Sequence, residues 1–424
     1  MSAPSQDQAP PAFTVLRPTL EELRDRKART RQPVRDDREV LTVSMGPHHP
    51  SMHGVFRAVV DFDGEVVVAV RPEVGNLHRG VEKLAESLTY HQIIPLTDRL
   101  HYVASFAQNH GFCEAVEKLI GLEVPARARF IRTIAHEMTR ISNHLLWLGI
   151  HIMDFGAITF QQICFREREY MMDMFEMLCG ARLTHSFCRI GGVAKDLPDG
   201  FAERMRGALD FLPTRISEYE RLIDQNRIFL KRAKDIGIFT SEDCAAWRVT
   251  GPALRAAGVE RDLRRNEPYA AYPEIEFEVA VEYEADVYAR YRVRMREMQE
   301  SIKIIRQCLD NMPDGPILAK DAAHVMPRKK DVMRSAAAMV QDFMQVFVGP
   351  QVPAGEVYRS VETPHGELGF HVVSDGSPKP QRLHIATPCF FHCQATTPMW
   401  EGEMLADVVG IFGSVDVCLG SCDR

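Results

Sequence analysis

Apolar residues recur along this chain at two different spacings, and the change from one to the other divides it. Between residues 40 and 71 they fall in short runs: Val40 to Val43, Val55 to Phe62 and Glu65 to Val70 read as strands. Beyond Gly80 the spacing becomes three and four. Phe130, Ile134, Met138, Ile141, Leu145, Leu148 and Ile152 form one stripe, about six helical turns long. Pro125 is a good first-turn residue for it, and Arg127, Arg132, His136, Arg140 and Asn143 fall off it. A helix of that length predicts the centre of a bundle, and it delivers Asp154 at its C-terminal end, just before Gly156. A second helix is predicted from Phe160 to Leu178, with others between Phe201 and Leu230.

Residues 236–282 are mixed and rich in glycine and proline, so a loop-rich insert is expected there. Tyr288, Tyr291, Met295, Met298, Ile302, Ile305 and Leu309 then predict another long helix, and Asp331 to Phe347 a shorter one. The methionine and tyrosine stripes are expected in the core, because their spacing is that of a buried helix face. Glu356 to Glu362, Glu367 to Ser374 and Arg382 to Ala386, separated by turn residues, predict an antiparallel meander. A final helix is expected near Glu401 to Phe412. The predicted class is α+β, mainly helical. Its expected units are an extension (1–38), a small β unit (39–75), a helical bundle (76–350) and a C-terminal β meander with a helix and terminal segment (351–424). In the extension, residues 1–13 lack periodicity and are expected to be disordered, while Leu16 to Arg31 is charged enough for a surface helix.

Composition narrows the class of function. The 424 residues are 45% hydrophobic and 26% charged, as in a globular protein with a sizeable core. The net charge of −7 with dispersed basic residues argues against a nucleic-acid binder. No apolar stretch approaches the roughly 20 residues that span a bilayer, and the polar N-terminus lacks a signal-peptide core, so a cytoplasmic location is expected. Ten cysteines are too few for a disulfide scaffold. Each is by default a small buried hydrophobe.

Three features carry candidate chemistry. Gly46 to Arg57 holds three histidines, two prolines and two glycines between predicted strands. Stiff loops of this kind fix imidazoles in place, and imidazole titrates nearest neutrality. The plainer reading is a turn whose histidines bond the local backbone. Asp98-Arg99-Leu100-His101-Tyr102 is a charged and aromatic cluster whose phenol is a donor and acceptor, although a tyrosine in such a run is usually only packed. At the end of the chain, Cys389-Phe390-Phe391-His392-Cys393 precedes Cys418-Leu419-Gly420-Ser421-Cys422. Two Cys-x3-Cys pairs with a histidine could ligate zinc or an iron–sulfur cluster, but the usual Cys-x2-Cys spacing is missing. No GxGxxG follows a strand, and GxxxxGK[ST] and HExxH do not occur.

Gly46 to Arg57 (GPHHPSMHGVFR), Asn76 to Glu86 (NLHRGVEKLAE) and Pro95 to Tyr102 (PLTDRLHY) closely resemble the D-subunit family of NADH:quinone oxidoreductase, respiratory complex I. The resemblance runs in order from about Val40 to Arg424 and leaves only the extension outside. The family is similar in fold to the large subunits of [NiFe] hydrogenases. The resemblance implies a subunit that binds no cofactor of its own and packs against a B subunit holding the terminal iron–sulfur cluster. With B and the membrane H subunit it would form the chamber where a quinone is reduced. The C and I subunits would be further partners, and attachment to the cytoplasmic side of the inner membrane would be peripheral. Residue by residue, it places the quinone-headgroup histidine on His53, the headgroup tyrosine on Tyr102 and the aspartate that partners the histidine on Asp154. Arg79 falls on the arginine near the partner's cluster. His185, rather than Thr184, falls on the cluster-linked histidine. His49 is expected to shape the loop. The stretches around Cys113 and Cys418 lack the two Cys-x2-Cys pairs with which hydrogenases hold nickel, so a metal site is not expected. Two alternatives remain open: a subunit of a hydrogenase-related membrane complex with another electron donor, and a metal-binding module built on Cys389, Cys393, Cys418 and Cys422.

Overall fold

The apolar stripe from Phe130 to Ile152 lies in one helix, Ala126–Asp154, and every residue of the stripe is buried. The computed structural model describes residues 17–31, 40–47 and 54–424. The positions off the stripe are not its solvent face: Arg132, His136, Arg140 and Asn143 are buried as well. The helix is enclosed by Ile158–Cys179, Val287–Asp310, Ser105–Ile120 and Leu405–Val415, so polar side chains on its far side must find partners inside. They do. Arg132 is bidentate on Glu117 (2.9 and 2.5 Å). Glu137 is held by Arg140, Arg264 and the Ser301 hydroxyl. Arg264 and Arg255 come from the loop-rich insert, where Pro252–Ala256 and Leu263–Asn266 are short helices. Arg255 reaches Glu297 (2.7 Å) and Glu362 (2.8 Å), tying the insert to the bundle and to the meander. Breaking one such buried pair costs roughly 3–5 kcal/mol, because the partner is left charged and alone.

The structure is mainly helical with small antiparallel sheets. Leu41–Met45, Arg57–Asp63 and Val66–Glu73 form the first sheet, with Val60 opposite both Val43 and Val70. Gly355–Thr363, Gly366–Ser374 and Arg382–Ala386 form the expected meander.

Three elements differ from the expectation, and a fourth, the expected surface helix, is present and anchored. Helix Ser105–Ile120 is hidden in the sequence by Gln108, Asn109, His110 and Gly111, all of which are buried. Gly111 sits there because the meander lies against it: a Cβ would meet Phe370 at 2.9 Å and Val361 at 3.0 Å. The segment 331–347 is broken, with Lys329–Val332 followed by Ala336–Phe347, whose N-terminus is capped by Ser335. The expected C-terminal helix is Leu405–Val415, and the sequence reading missed the helices on either side of it, Pro388–Trp400 and Leu419–Asp423; Gly402 is in the left-handed region (φ +84°) before Leu405. The charged helix, Leu20–Thr30, starts at a Thr19/Glu22 capping box and is anchored: Leu23 is buried, and Lys27 and Arg26 pair with Asp243 and Glu284. The histidine loop, including His49 and His53, lies outside the described residues.

Candidate functional site

The segment from Asp98 to Ala104, between helices Tyr90–Thr97 and Ser105–Ile120, is where the predicted residues converge. Arg79 donates to the Arg99 carbonyl (2.6 Å) and to that of Gly420 (3.3 Å). Both the backbone N–H (3.0 Å) and the hydroxyl of Ser186 donate to the Asp98 carboxylate. His185, next in the chain, bonds Ser105 Oγ through Nδ1 (2.6 Å) and stacks on Phe106 at 4.0 Å. Burial lowers His185 to about 4, so it is neutral at physiological pH. The segment is thus held from both sides, and Tyr102 is carried on a fixed backbone.

Tyr102 lines a cavity of about 130 Å³. For scale, a cavity of about 150 Å³ accommodates one benzene ring. Its apolar wall comes from the central helix, with Leu146, Trp147, Ile150 and Met153. Leu146, Ile150 and Met153 repeat at spacings of four and three on a face beside the buried stripe, and with Trp147 that face forms this wall. The polar wall is Tyr102, His101, Asn143, His365, Asp416 and Cys418. Gly54, one residue after His53, closes the rim.

Asp416 ends helix Leu405–Val415. Its carboxylate accepts from Asn143 Nδ2 (3.0 Å) and lies 3.0 Å from His365 Nε2. His365 in turn lies 3.1 Å from His101 Nε2. Burial alone would raise the Asp416 carboxyl, but His365, Arg294 and His101 outweigh it and hold it well below the usual carboxylate range. Tyr102 goes the other way. The Cys418 sulfur beside it, burial and the Asp416 charge push its phenol up to about 12. Burial pushes the Cys418 thiol up to about 12 as well, so at neutral pH the phenol and the thiol both keep their protons and the carboxylate does not. Chemically, this is a ring-sized pocket with a protonated phenol donor and an ionised acceptor.

Of the predicted residues, the structure places Tyr102 in the wall. Asp154 is the last residue of the central helix, half-buried, one position beyond the wall residue Met153. Arg79 and His185 do not line the cavity; they hold the segment that carries Tyr102. Asp416, Asn143 and His365 were not singled out from the sequence. His365 was visible only as part of the turn Pro364-His365-Gly366, and Asp416 only as a residue shortly before Cys418. The four terminal cysteines are buried; Cys418 N–H donates to Cys389 Sγ (3.4 Å). Among the described residues no group of three or more His, Cys, Asp and Glu is placed to hold a metal ion, so a metal module on these cysteines has no donor set. No helix among the described residues is long and apolar enough to cross a membrane.

Comparison with known proteins places these features in a family. The family model for the respiratory-chain NADH dehydrogenase, 49 Kd subunit, matches residues 154–424. The NADH-quinone oxidoreductase D subunit of Geotalea uraniireducens is 48% identical over 386 residues, covering 91% of this chain and 99% of its relative. A second form of the D subunit, from Rhizobium etli, is 49% identical over 388 residues, with 91% and 96% covered. The D subunit of Campylobacter jejuni is 46% identical over 386 residues, with 91% and 95% covered.

Proposed function

Because the chain belongs to the family of the 49 Kd subunit of the respiratory-chain NADH dehydrogenase, we propose that it is the quinone-site subunit of an NADH:quinone oxidoreductase, active only in the assembled complex. The observation that carries this reading is the ring-sized cavity with the Tyr102 phenol in its wall. Reduction of a quinone to a quinol takes two electrons and two protons. The electrons come from the terminal iron–sulfur cluster of a partner subunit. Tyr102 and His53 are the proton donors, and Asp154 orients and recharges His53. A phenol held up to about 12 keeps its proton through the resting state and donates it only to an oxygen made strongly basic by reduction. The apolar face of Leu146, Trp147 and Ile150 takes the ring and keeps water away from it.

In this reading Arg79 and His185 lie toward the partner's cluster, and each is bonded to the segment bearing Tyr102, so the two ends of the electron's last step share one rigid support. The B, C, H and I subunits are the partners, and the membrane is reached through them, on its cytoplasmic side. Quinone is the substrate, and this chain contributes no cofactor of its own.

The test is Tyr102→Phe in assembled complex, which keeps the ring and removes the donor. Quinone reduction by NADH is expected to fall at least ~100-fold, the lower range for loss of a positioned acid. NADH oxidation by a hydrophilic artificial acceptor is expected to stay unchanged. Normal quinone reduction in this variant would move the headgroup site away from Tyr102.

A further inference from the structure

Three costs meet at Asp416. Its carboxylate is mostly withdrawn from water in the cavity wall. It sits at the C-terminal, negative end of helix Leu405–Val415, where an anion is disfavoured. Its backbone is left-handed (φ +60°), which L residues rarely adopt. A carboxylate kept against all three needs strong donors. Arg294 contributes charge, but its N–H groups go to the carbonyls of Arg290, Ser414 and Val415. The donors to the carboxylate itself are Asn143 and His365.

The protons on the two imidazoles follow from a backbone group. The Ala104 N–H donates to His101 Nδ1 (3.2 Å), and a peptide N–H can only donate. Burial keeps His101 neutral. Its one proton is therefore on Nε2, which lies 3.1 Å from His365 Nδ1 and 3.2 Å from His365 Nε2. His365 carries a proton on Nε2, because the ionised Asp416 carboxylate 3.0 Å away can only accept. His101 thus backs the ring that donates to the carboxylate. The turn that carries His365 is fixed as well. Gly366 (φ +136°) lies against Gly251 so closely that a Cβ on Gly251 would meet Gly366 Cα at 2.4 Å, and Thr363 Oγ1 bonds Gly366 O (2.8 Å).

We propose that His365, backed by His101, is a positioning residue that keeps Asp416 ionised in the wall of the quinone pocket, with its negative charge set against the Tyr102 phenol. The proposal rests on the quinone-pocket reading above. It assigns the pocket an electrostatic control that neither Tyr102 nor the histidine loop supplies. The other groups facing Asp416 are accounted for. Arg294 comes from helix Val287–Asp310; burial lowers it to about 10, and it stays charged. His392, from helix Pro388–Trp400, is lowered by burial to about 3 and is neutral. Cys389 and Cys418 keep their protons, and Asn143 carries none to lose. His365 is the one imidazole that faces the carboxylate directly, and a further buried imidazole backs it.

The experiment compares pH profiles of quinone kcat/KM in assembled complex for wild type, His365→Leu, His365→Gln, His101→Leu and the double variant His365→Leu/Asp416→Asn. Tyr102→Phe and hydrophilic-acceptor activity are the controls. Without the His365 donor, burial is opposed only by the Arg294 charge and the neutral Asn143 amide, and Asp416 is expected to titrate near neutrality, giving a new acid-side inflection between about pH 5 and 7. His365→Gln, which keeps an N–H donor, is expected to lack the inflection, and so is the double variant. His101→Leu is expected to show a weaker one, because His365 is then free to change tautomer. This last variant decides the matter if His365→Leu fails to assemble. Profiles of His365→Leu or His101→Leu that parallel wild type would overturn the relay. An inflection that survives Asp416→Asn would do so too. If Tyr102→Phe reduces quinone normally, the pocket reading fails first; if it collapses while the inflection is absent, the relay alone fails.

Discussion

At the scale of single residues, the site divides into what a motif announces and what only folding assembles. Tyr102 was legible because it ends a compact charged cluster, and the structure places it in the cavity wall. Asp416 and His365 were not, since they stand 51 residues apart in sequence (365 to 416) and meet only when the meander turn closes over the end of a helix. That closure depends on two glycines approaching backbone to backbone. A Cβ on Gly366 would meet Thr250 Oγ1 at 2.5 Å, at a φ of +136°. Neither the backbone of 250–251 nor the dihedral has room to give. Gly366→Ala is therefore expected to displace His365 and cost about 2–4 kcal/mol, the range for a strained backbone plus overpacking. The check is twofold: a lower unfolding midpoint, and the same acid-side inflection as His365→Leu in whatever complex assembles. A variant with wild-type stability and pH profile would show that the turn tolerates the side chain.

At the scale of elements, periodicity was a sound guide to long helices and a poor one to helices buried on all sides. The helices along Phe130 to Ile152 and Tyr288 to Leu309 came through because each has an apolar stripe. Ser105–Ile120 was missed because its interior positions include Ser105, Gln108, Asn109 and His110, and partners such as the Ile94 carbonyl and the Phe187 N–H, rather than water, satisfy Asn109. Its contact with the meander depends on the absence of a side chain at Gly111, where Phe370 and Val361 are both fully buried strand residues. Gly111→Ala forces those two side chains off their positions in a filled core. It would gain helix propensity, worth up to about 1 kcal/mol relative to glycine, but overpacking costs about 1–3 kcal/mol. Net destabilisation is expected, with faster proteolysis of the meander. A more stable protein would mean that the sheet can retreat by a few tenths of an ångström. This helix begins one residue after Ala104, so its seating also sets where the relay starts.

At the scale of the whole molecule, the bundle buries imidazoles as neutral groups. Burial lowers His91, His136, His144 and His185 to about 4 and His392 to about 3. In the unfolded chain each returns to about 6.5. Between those values the unfolded state binds more protons than the folded one, so stability is full above about pH 6.5 and falls as the pH drops toward 4. Each histidine contributes up to about 1.4 kcal/mol per pH unit in that window. Asp286, raised by burial to about 6, opposes the trend, since it gains its proton in the fold first. Asp98, Glu220, Glu362, Glu401 and Glu403 are raised by burial too, but His101 and His110 are lowered as well, and the imidazoles keep the sign above about pH 5. Glu137 and Glu297, which their arginine and histidine partners hold well below the usual range despite burial, extend the loss to lower pH, as the unfolded carboxylates protonate near 4. The unfolding midpoint of the purified complex, read at this subunit by proteolysis, is expected to be level from pH 8 to 7 and to fall steadily from pH 6.5 to 5. A level profile down to pH 5 would mean that these imidazoles take up protons inside the fold. In that case His101 would no longer be fixed as a neutral donor, and the ionised state of Asp416 would rest more heavily on Arg294.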